Sequence, residues 1–220
     1  MERKEFYRQY LPHFQQPGQT YFITWCLKEA IPALALDSYT RKIELLLNQI
    51  KMKKDLKSED GVIENLEKEY HLERRKYIKA FNDLLDMEQK SSINLSRPQN
   101  AQVVISSLRY WEGKKLTNYA FTIMSNHIHW VFATHNKDEK GNLVYLQDIL
   151  KSVKQFTSNQ INKLEDRKGT LWQKESFDTT IRNQVHLFNA INYTLNNPVK
   201  AGLVSDWRLW PASYYAGDFL

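Results

Sequence analysis

Two histidines one residue apart, His127 and His129, sit in the run His127-Ile128-His129-Trp130-Val131-Phe132. Side chains of a β-strand alternate between faces, so residues i and i+2 project the same way. Both imidazoles therefore leave one face of a sheet, while Ile128 and Trp130 pack on the other. Two imidazoles side by side make half of a divalent-metal site. Downstream, Ile191-Asn192-Tyr193-Thr194-Leu195-Asn196-Asn197 follows a helical pattern, expected to stop at Pro198. The i, i+4 spacing of Tyr193 and Asn197 puts a phenol and an amide on one helix face, where both can meet the same metal. Two histidines, one tyrosine and one further oxygen ligand suffice for phosphoryl transfer through a covalent intermediate.

These groups need rigid carriers, and the chain supplies them in order. Residues 20–27, Thr20-Tyr21-Phe22-Ile23-Thr24-Trp25-Cys26-Leu27, are β-branched and aromatic and read as a first strand opened by Pro17-Gly18. The histidines sit in a hairpin whose strands span roughly 116–124 and 127–134, joined at Ser125-Asn126. A short helix over about 99–111 precedes the hairpin. A helix over about 146–164 follows it, with Ile149, Leu150, Val153, Phe156, Ile161 and Leu164 as its apolar positions. A strand-like stretch at about 170–181 contains Leu171, Trp172 and Phe177. The tyrosine helix, about 183–197, is expected to bury Val185, Phe188, Ile191 and Leu195. The order β, α, β, β, α, β, α predicts an α+β fold with one antiparallel sheet and helices on a face.

Between the first strand and the 99–111 helix the texture changes. Ile43, Leu46, Leu47 and Ile50 keep helical spacing, and a second helical stretch over about 62–89 carries Leu66, Tyr70, Tyr77, Phe81, Leu84 and Leu85. Residues 40–90 hold 12 Lys and Arg against 11 Asp and Glu. A segment so mixed in charge is expected to be a solvated helical hairpin, an insertion at about 38–95 within a single domain spanning residues 1–220.

With 220 residues and 42% hydrophobic content, the chain can bury a real core, which excludes wholesale disorder. The net charge of +6 mildly favours an anionic partner. Cys26 has no partner for an internal disulfide and lies in an apolar run, as expected of a buried thiol in a reducing compartment. Met1-Glu2-Arg3-Lys4-Glu5 is too charged for a secretory signal, and no apolar run approaches membrane-spanning length. A soluble, cytoplasmic protein with no membrane partner is the expectation.

Several blocks, in order along the chain, resemble the Y1 HUH transposases, and among them the IS200-like proteins associated with REP repeats. They are the Tyr21–Trp25 strand, Ala120–Val131 around the histidines, Lys151-Ser152-Val153-Lys154-Gln155-Phe156-Thr157, Leu171-Trp172-Gln173 and Phe177-Asp178-Thr179-Thr180-Ile181-Arg182. Last and most specific is Tyr193 through Asn197-Pro198-Val199-Lys200-Ala201-Gly202-Leu203-Val204. Residues 38–95 are not covered. Relatives often carry Pro before Asn-His-x-His where this chain has Ser125, which changes a turn residue and no ligand. Relatives in the simplest insertion sequences tend to carry Gln at the position of Asn197.

The resemblance implies a ferredoxin/RRM-like antiparallel sheet, the HUH nuclease fold. It makes His127 and His129 the metal pair, Tyr193 the nucleophile and Asn197 the third ligand of Mg²⁺ or Mn²⁺. The implied activity is a metal-dependent single-stranded DNA endonuclease and strand transferase, a transposase that cuts next to DNA hairpins through a 5′-phosphotyrosine. Its partner is then single-stranded DNA or a hairpin, REP-like or from the end of an insertion element, met by a monomer or a homodimer. Lys154, Arg182 and Lys200, with Arg3, Lys4 and Arg8 of an N-terminal arm, are candidate DNA contacts. Trp130 and Trp172 are candidates to stack on an unpaired base, with core packing as the competing role. Tyr214 and Tyr215 are rival nucleophiles. Two alternatives compete: a domesticated protein that binds hairpins without cutting, and an unrelated metallohydrolase, for which His135 and His186 stand at no recognisable spacing.

Overall fold

The structure, a computed structural model, describes residues 6–8, 12–32, 34–57, 60–87 and 91–217. Strands β1 (Phe6–Arg8) and β2 (Pro12–Phe14) pair with each other in a two-stranded antiparallel sheet. The main sheet has five strands: β3 (Thr20–Cys26), β4 (Leu116–Ile123), β5 (His127–Thr134), β6 (Phe177–Thr180) and β7 (Ser213–Tyr215). They lie in the order β6-β3-β5-β4-β7, and every neighbouring pair is antiparallel. The helices are α1 (Asp37–Asp55), α2 (Asp60–Asp86), α3 (Pro98–Arg109), α4 (Leu146–Leu164) and α5 (Gln184–Lys200). Elements β3, α3, β4, β5, α4 and β6, with strand order β6-β3-β5-β4, form the split β-α-β-β-α-β unit of ferredoxin-like folds. The protein is α+β.

Alternation along the strands divides the core. Tyr21, Ile23, Trp25, Phe121, Ile123, Ile128, Trp130 and Phe132 point to one face and are fully buried. Each large apolar side chain so buried contributes about 1.5–3 kcal/mol. Helices α3 and α4 cover this face. Asn118 links it to α3, its Nδ2 donating to the Leu108 carbonyl at 3.2 Å while its Oδ1 accepts from Trp130 Nε1 at 2.6 Å. Trp172, whose Nε1 donates to Thr157 Oγ1 at 3.0 Å, links it to α4, with its ring centroid 6.1 Å from that of Trp25. The other face carries the histidines. There Ala120 and Val131 pack against Leu187, Ala190, Ile191 and Leu195 of α5. Helices on one face is thus the arrangement of α3 and α4, the helices of the β-α-β-β-α-β unit, while α5 lies on the opposite face.

Several local expectations need correction. Helix α5 does not stop at Pro198 but runs through it to Lys200. In the last turn a proline forfeits a single helical hydrogen bond, and the helix end is closed beyond it. Gly202, at φ 69°, donates from its N–H to the Val199 carbonyl at 2.9 Å, and Leu203 donates to the Pro198 carbonyl at 3.0 Å. That pair of bonds is a Schellman cap, so the block Pro198–Leu203 encodes a helix terminus. The stretch at 170–181 is a strand only over Phe177–Thr180. Trp172 makes one isolated bridge, to Leu27, with Lys28 donating to the Leu171 carbonyl at 2.8 Å and Gln173 to the Cys26 carbonyl at 2.9 Å, and Leu171 and Trp172 are buried. Val185, Phe188, Phe156 and Leu164 are exposed, because α5 and α4 each turn a narrower stripe inward than the apolar count implied.

Within residues Glu29–Lys90, which form a compact unit of their own, α1 and α2 make an antiparallel hairpin. Tyr39 meets Tyr77 edge-on near one end, and Lys54 pairs with Glu67 at 2.7 Å near the other. Ile43, Leu46 and Ile50 of α1 and Tyr70, Tyr77, Phe81 and Leu85 of α2 are its buried apolar residues. The second unit comprises Met1–Lys28 and Ser91–Leu220. In it, Leu27 donates to the Asn126 carbonyl at 2.9 Å and Leu95 to the Ser125 carbonyl at 2.8 Å. The chain thus leaves and rejoins this unit at the same turn, the one before His127. Among the described residues, no helix is long and apolar enough to cross a membrane.

Candidate active site

The site is built on the sheet face opposite α3 and α4. His127 and His129 both lie on β5, whose central place in the sheet buries them to 2% and 1% exposure. Their Nε2 atoms face each other at 3.1 Å. Each Nδ1 is held from behind, that of His127 by Asn126 Oδ1 at 2.7 Å and that of His129 by Thr24 Oγ1 at 2.8 Å. Thr24 stands opposite His129 because β3 pairs with β5 in the register Thr24↔His129. Phe22, two residues earlier and hence on the same face, stacks on the His129 ring with centroids 5.8 Å apart. Tyr193 of α5 meets His129 edge-on, with centroids at 5.1 Å, and Phe22 at 5.8 Å.

Burial, then the neighbouring His127, then the Lys200 charge hold the His129 imidazole well below its ordinary pKa range. A neutral imidazole is the form that ligates a cation. Asn197 lies between Tyr193 and Lys200 on the same helix face, at i+4 from the tyrosine. It is 2% exposed, and neither its Oδ1 nor its Nδ2 has a hydrogen-bond partner. A buried amide left unpaired costs about 1–3 kcal/mol, so an amide oxygen without a hydrogen-bond partner, on the helix face that carries Tyr193, fits a metal ligand set. Among the described residues, no group of three or more His, Cys, Asp and Glu side chains could hold a metal. Imidazole with amide oxygen is compatible with Mg²⁺ or Mn²⁺.

No protein-family model matches the chain. A Haemophilus influenzae protein described as "Putative REP-associated tyrosine transposase" is 28% identical to it over 106 residues, 45% of this chain and 58% of that protein. This chain is similar to the REP-associated tyrosine transposases. The match spans 58% of that relative's length. A solved structure described as "Structure of the REP associates tyrosine transposase bound to a REP hairpin" aligns over 96% of this chain and 82% of that one, with a TM-score of 0.45 and 16% identity.

The remaining candidate residues fall in different places. Lys200 is exposed at the end of α5, close enough for its charge to act on His129. Arg182 is exposed just after β6. Lys154 turns inward. Its Nζ donates to the Gln173 carbonyl at 3.3 Å and to Ser176 Oγ at 3.4 Å, and burial brings its pKa down to about 8. Arg3 and Lys4 lie outside the described residues, and Arg8 ends β1. Trp130 and Trp172 are core residues with bonded indole nitrogens, not faces open to a base. Tyr214 stacks on Phe121 beneath the Arg109 guanidinium, on the face away from the histidines. Tyr215 packs against Trp207. His135 holds Thr117 at the far end of β5, and His186 lies in the first turn of α5, its N–H capped by Asn183. Cys26 is buried, and its thiol is pushed up to about 12.

Sequence reasoning singled out neither Thr24 nor Asn126 as part of the site. Strand parity could have found Thr24 only with the β3–β5 register known, and Asn126 reads in sequence as an ordinary turn residue.

Proposed function

We propose that this chain is a metal-dependent single-stranded DNA endonuclease and strand transferase that cuts next to DNA hairpins through Tyr193. The observation that carries this reading is the Tyr193 ring standing 5.1 Å from His129 of an imidazole pair whose Nε2 atoms converge. The likeness to a putative REP-associated tyrosine transposase supports reading the reaction as one of DNA transposition.

A divalent cation, Mg²⁺ or Mn²⁺, held by His127, His129 and the Asn197 amide oxygen, would neutralise charge at the scissile phosphate. Tyr193 Oη forms a bond to phosphorus while the bond from phosphorus to the 3′ oxygen breaks. The phenolic proton is lost and the leaving oxygen gains one, giving a 5′-phosphotyrosine and a free 3′-hydroxyl. A second 3′-hydroxyl attacking the same phosphorus releases Tyr193 and joins strands. One phosphodiester is exchanged for another, so no ATP is consumed. His129, clamped between Phe22 and Tyr193, keeps the tyrosine beside the metal ligands, and Lys200 adds positive charge where the DNA backbone would pass.

The test is incubation of the chain with labelled single-stranded hairpin oligonucleotides from DNA flanking its gene, with Mn²⁺ or EDTA, followed by a denaturing gel. A protease-sensitive covalent adduct that needs Mn²⁺ and vanishes in Tyr193→Phe is expected. Native-gel shifts with no adduct under any metal would overturn cutting and leave a hairpin-binding protein.

A further inference from the structure

Four side chains form a line across the histidine face: Thr24, His129, His127 and Asn126. Their contacts measure 2.8 Å from Thr24 Oγ1 to His129 Nδ1, 3.1 Å between the two Nε2 atoms, and 2.7 Å from His127 Nδ1 to Asn126 Oδ1. All four are at least nine-tenths buried.

The ends of this line differ in kind. The Asn126 carbonyl oxygen can only accept, so His127 carries its proton on Nδ1 and presents a lone pair at Nε2. A threonine hydroxyl can donate or accept. With no cation between them, two nitrogen lone pairs do not face each other at 3.1 Å, so one Nε2 must carry a hydrogen. The His127 proton is already committed to Asn126. The hydrogen therefore sits on His129 Nε2, and the Thr24 hydroxyl donates to His129 Nδ1. All three bonds then point the same way along the line. When both Nε2 lone pairs are to meet one cation, the His129 proton must be on Nδ1, and the Thr24 hydroxyl must turn to accept it. His129 is neutral in both arrangements: as the cation arrives its Nε2 proton passes to water, its Nδ1 takes one proton from water, and Thr24 keeps its own. The ring cannot do this by flipping over, because Phe22 stacks on it and Tyr193 stands at its edge.

We propose that Thr24 is a positioning residue whose rotating hydroxyl lets His129 exchange tautomers between the metal-free and the metal-holding site. The inference rests on the metal-dependent reading above and assigns a part to a residue that touches neither metal nor DNA. Valine at this position would leave a buried His129 N–H with no acceptor whenever the metal is held. Serine would preserve the switch.

The test uses the full chain in three forms: wild type, Thr24→Val and Thr24→Ser. Mn²⁺ affinity is measured by titration calorimetry, and imidazole tautomers are read from ¹⁵N–¹H correlation spectra in EDTA. Thr24→Val is expected to bind Mn²⁺ about 10- to 100-fold more weakly, as outer-shell partners of metal-bound histidines generally require, with Thr24→Ser restoring the wild-type value. The EDTA spectrum is expected to show His127 protonated on Nδ1 and His129 on Nε2. Equal Mn²⁺ affinity in Thr24→Val and wild type, with both amide spectra folded, overturns the role of Thr24 while leaving the metal reading intact. His129 protonated on Nδ1 in EDTA overturns the switch. Failure of the wild type itself to bind Mn²⁺ overturns the metal reading and the metal-holding arm together.

Discussion

On the metal-dependent reading proposed above, Asn197 is the residue at which stability and function pull against each other. Its amide is buried with neither polar atom hydrogen-bonded, an arrangement that costs free energy and that a cation on the oxygen would offset in part. Replacing it with leucine, close in size and with nothing to satisfy, should therefore stabilise the protein in EDTA by about 1–2 kcal/mol, read from urea unfolding. The same variant should lose Mn²⁺ affinity and adduct formation. If Asn197→Leu is less stable than wild type in EDTA, the amide has a structural partner and its assignment as a ligand fails. At this scale spacing alone marked His127 with His129 and Tyr193 with Asn197, and the structure sets the Tyr193 ring beside the imidazole pair. The sequence was silent on Thr24, because a threonine in a β-branched strand looks the same whether it faces a histidine or a methyl group. Lys154 was misleading for a related reason. A lysine on an amphipathic helix reads as solvated, yet here the Gln173 carbonyl and the Ser176 hydroxyl take up its ammonium.

Among the elements, α5 has the hardest task, since it must hold Tyr193 against a strand with which it shares no backbone ladder. Its register depends on its two ends. Asn183 Oδ1 caps the start by accepting from the His186 N–H at 2.8 Å, and the Schellman turn at Gly202 closes the finish. A side chain added at Gly202 meets no atom within 4 Å, so the cost of Gly202→Ala is conformational, about 1 kcal/mol for an L-residue held at φ 69°. Gly18, at φ 76° in the turn before β3, would place its new Cβ against the Asn136 side chain as well. Thermal denaturation should thus rank wild type above Gly202→Ala and Gly202→Ala above Gly18→Ala. A reversed order of the two variants would mean that Asn136 moves aside freely. The strands of the histidine hairpin and the 146–164 helix were plain in the sequence, because alternation and 3.6-residue spacing are strong over eight or more residues. The end of α5 was not, since Pro198 looks like a stop signal until the Gly202 cap beyond it is counted. Three-residue β7 carries too little pattern to be seen at all.

For the molecule as a whole, the division into two units separates chemistry from bulk. Thr24, Asn126, His127, His129, Tyr193 and Asn197 all belong to the unit formed by Met1–Lys28 and Ser91–Leu220, and none lies in Glu29–Lys90. Leu27 and Leu95 bond to the carbonyls of the consecutive residues Asn126 and Ser125, so a short linker can span the gap between them. Excising residues 29–90 and joining the ends with a few Gly and Ser residues should give a folded protein that keeps Mn²⁺ binding and adduct formation. Loss of the folded amide spectrum would show that the helical segment supports the sheet. The same geometry bears on how the native state is reached. Thr24 and His129 lie 105 positions apart, and closing so long a loop is entropically costly for an unfolded chain. A helical hairpin zipped by its own nearby contacts draws Tyr39 and Tyr77 together. Once it forms, β3 has far less free chain to search through before it finds β5, and contact order as the folding chain meets it falls well below the value counted along the sequence. A segment that holds none of the reactive groups would then act as a pacemaker for their assembly.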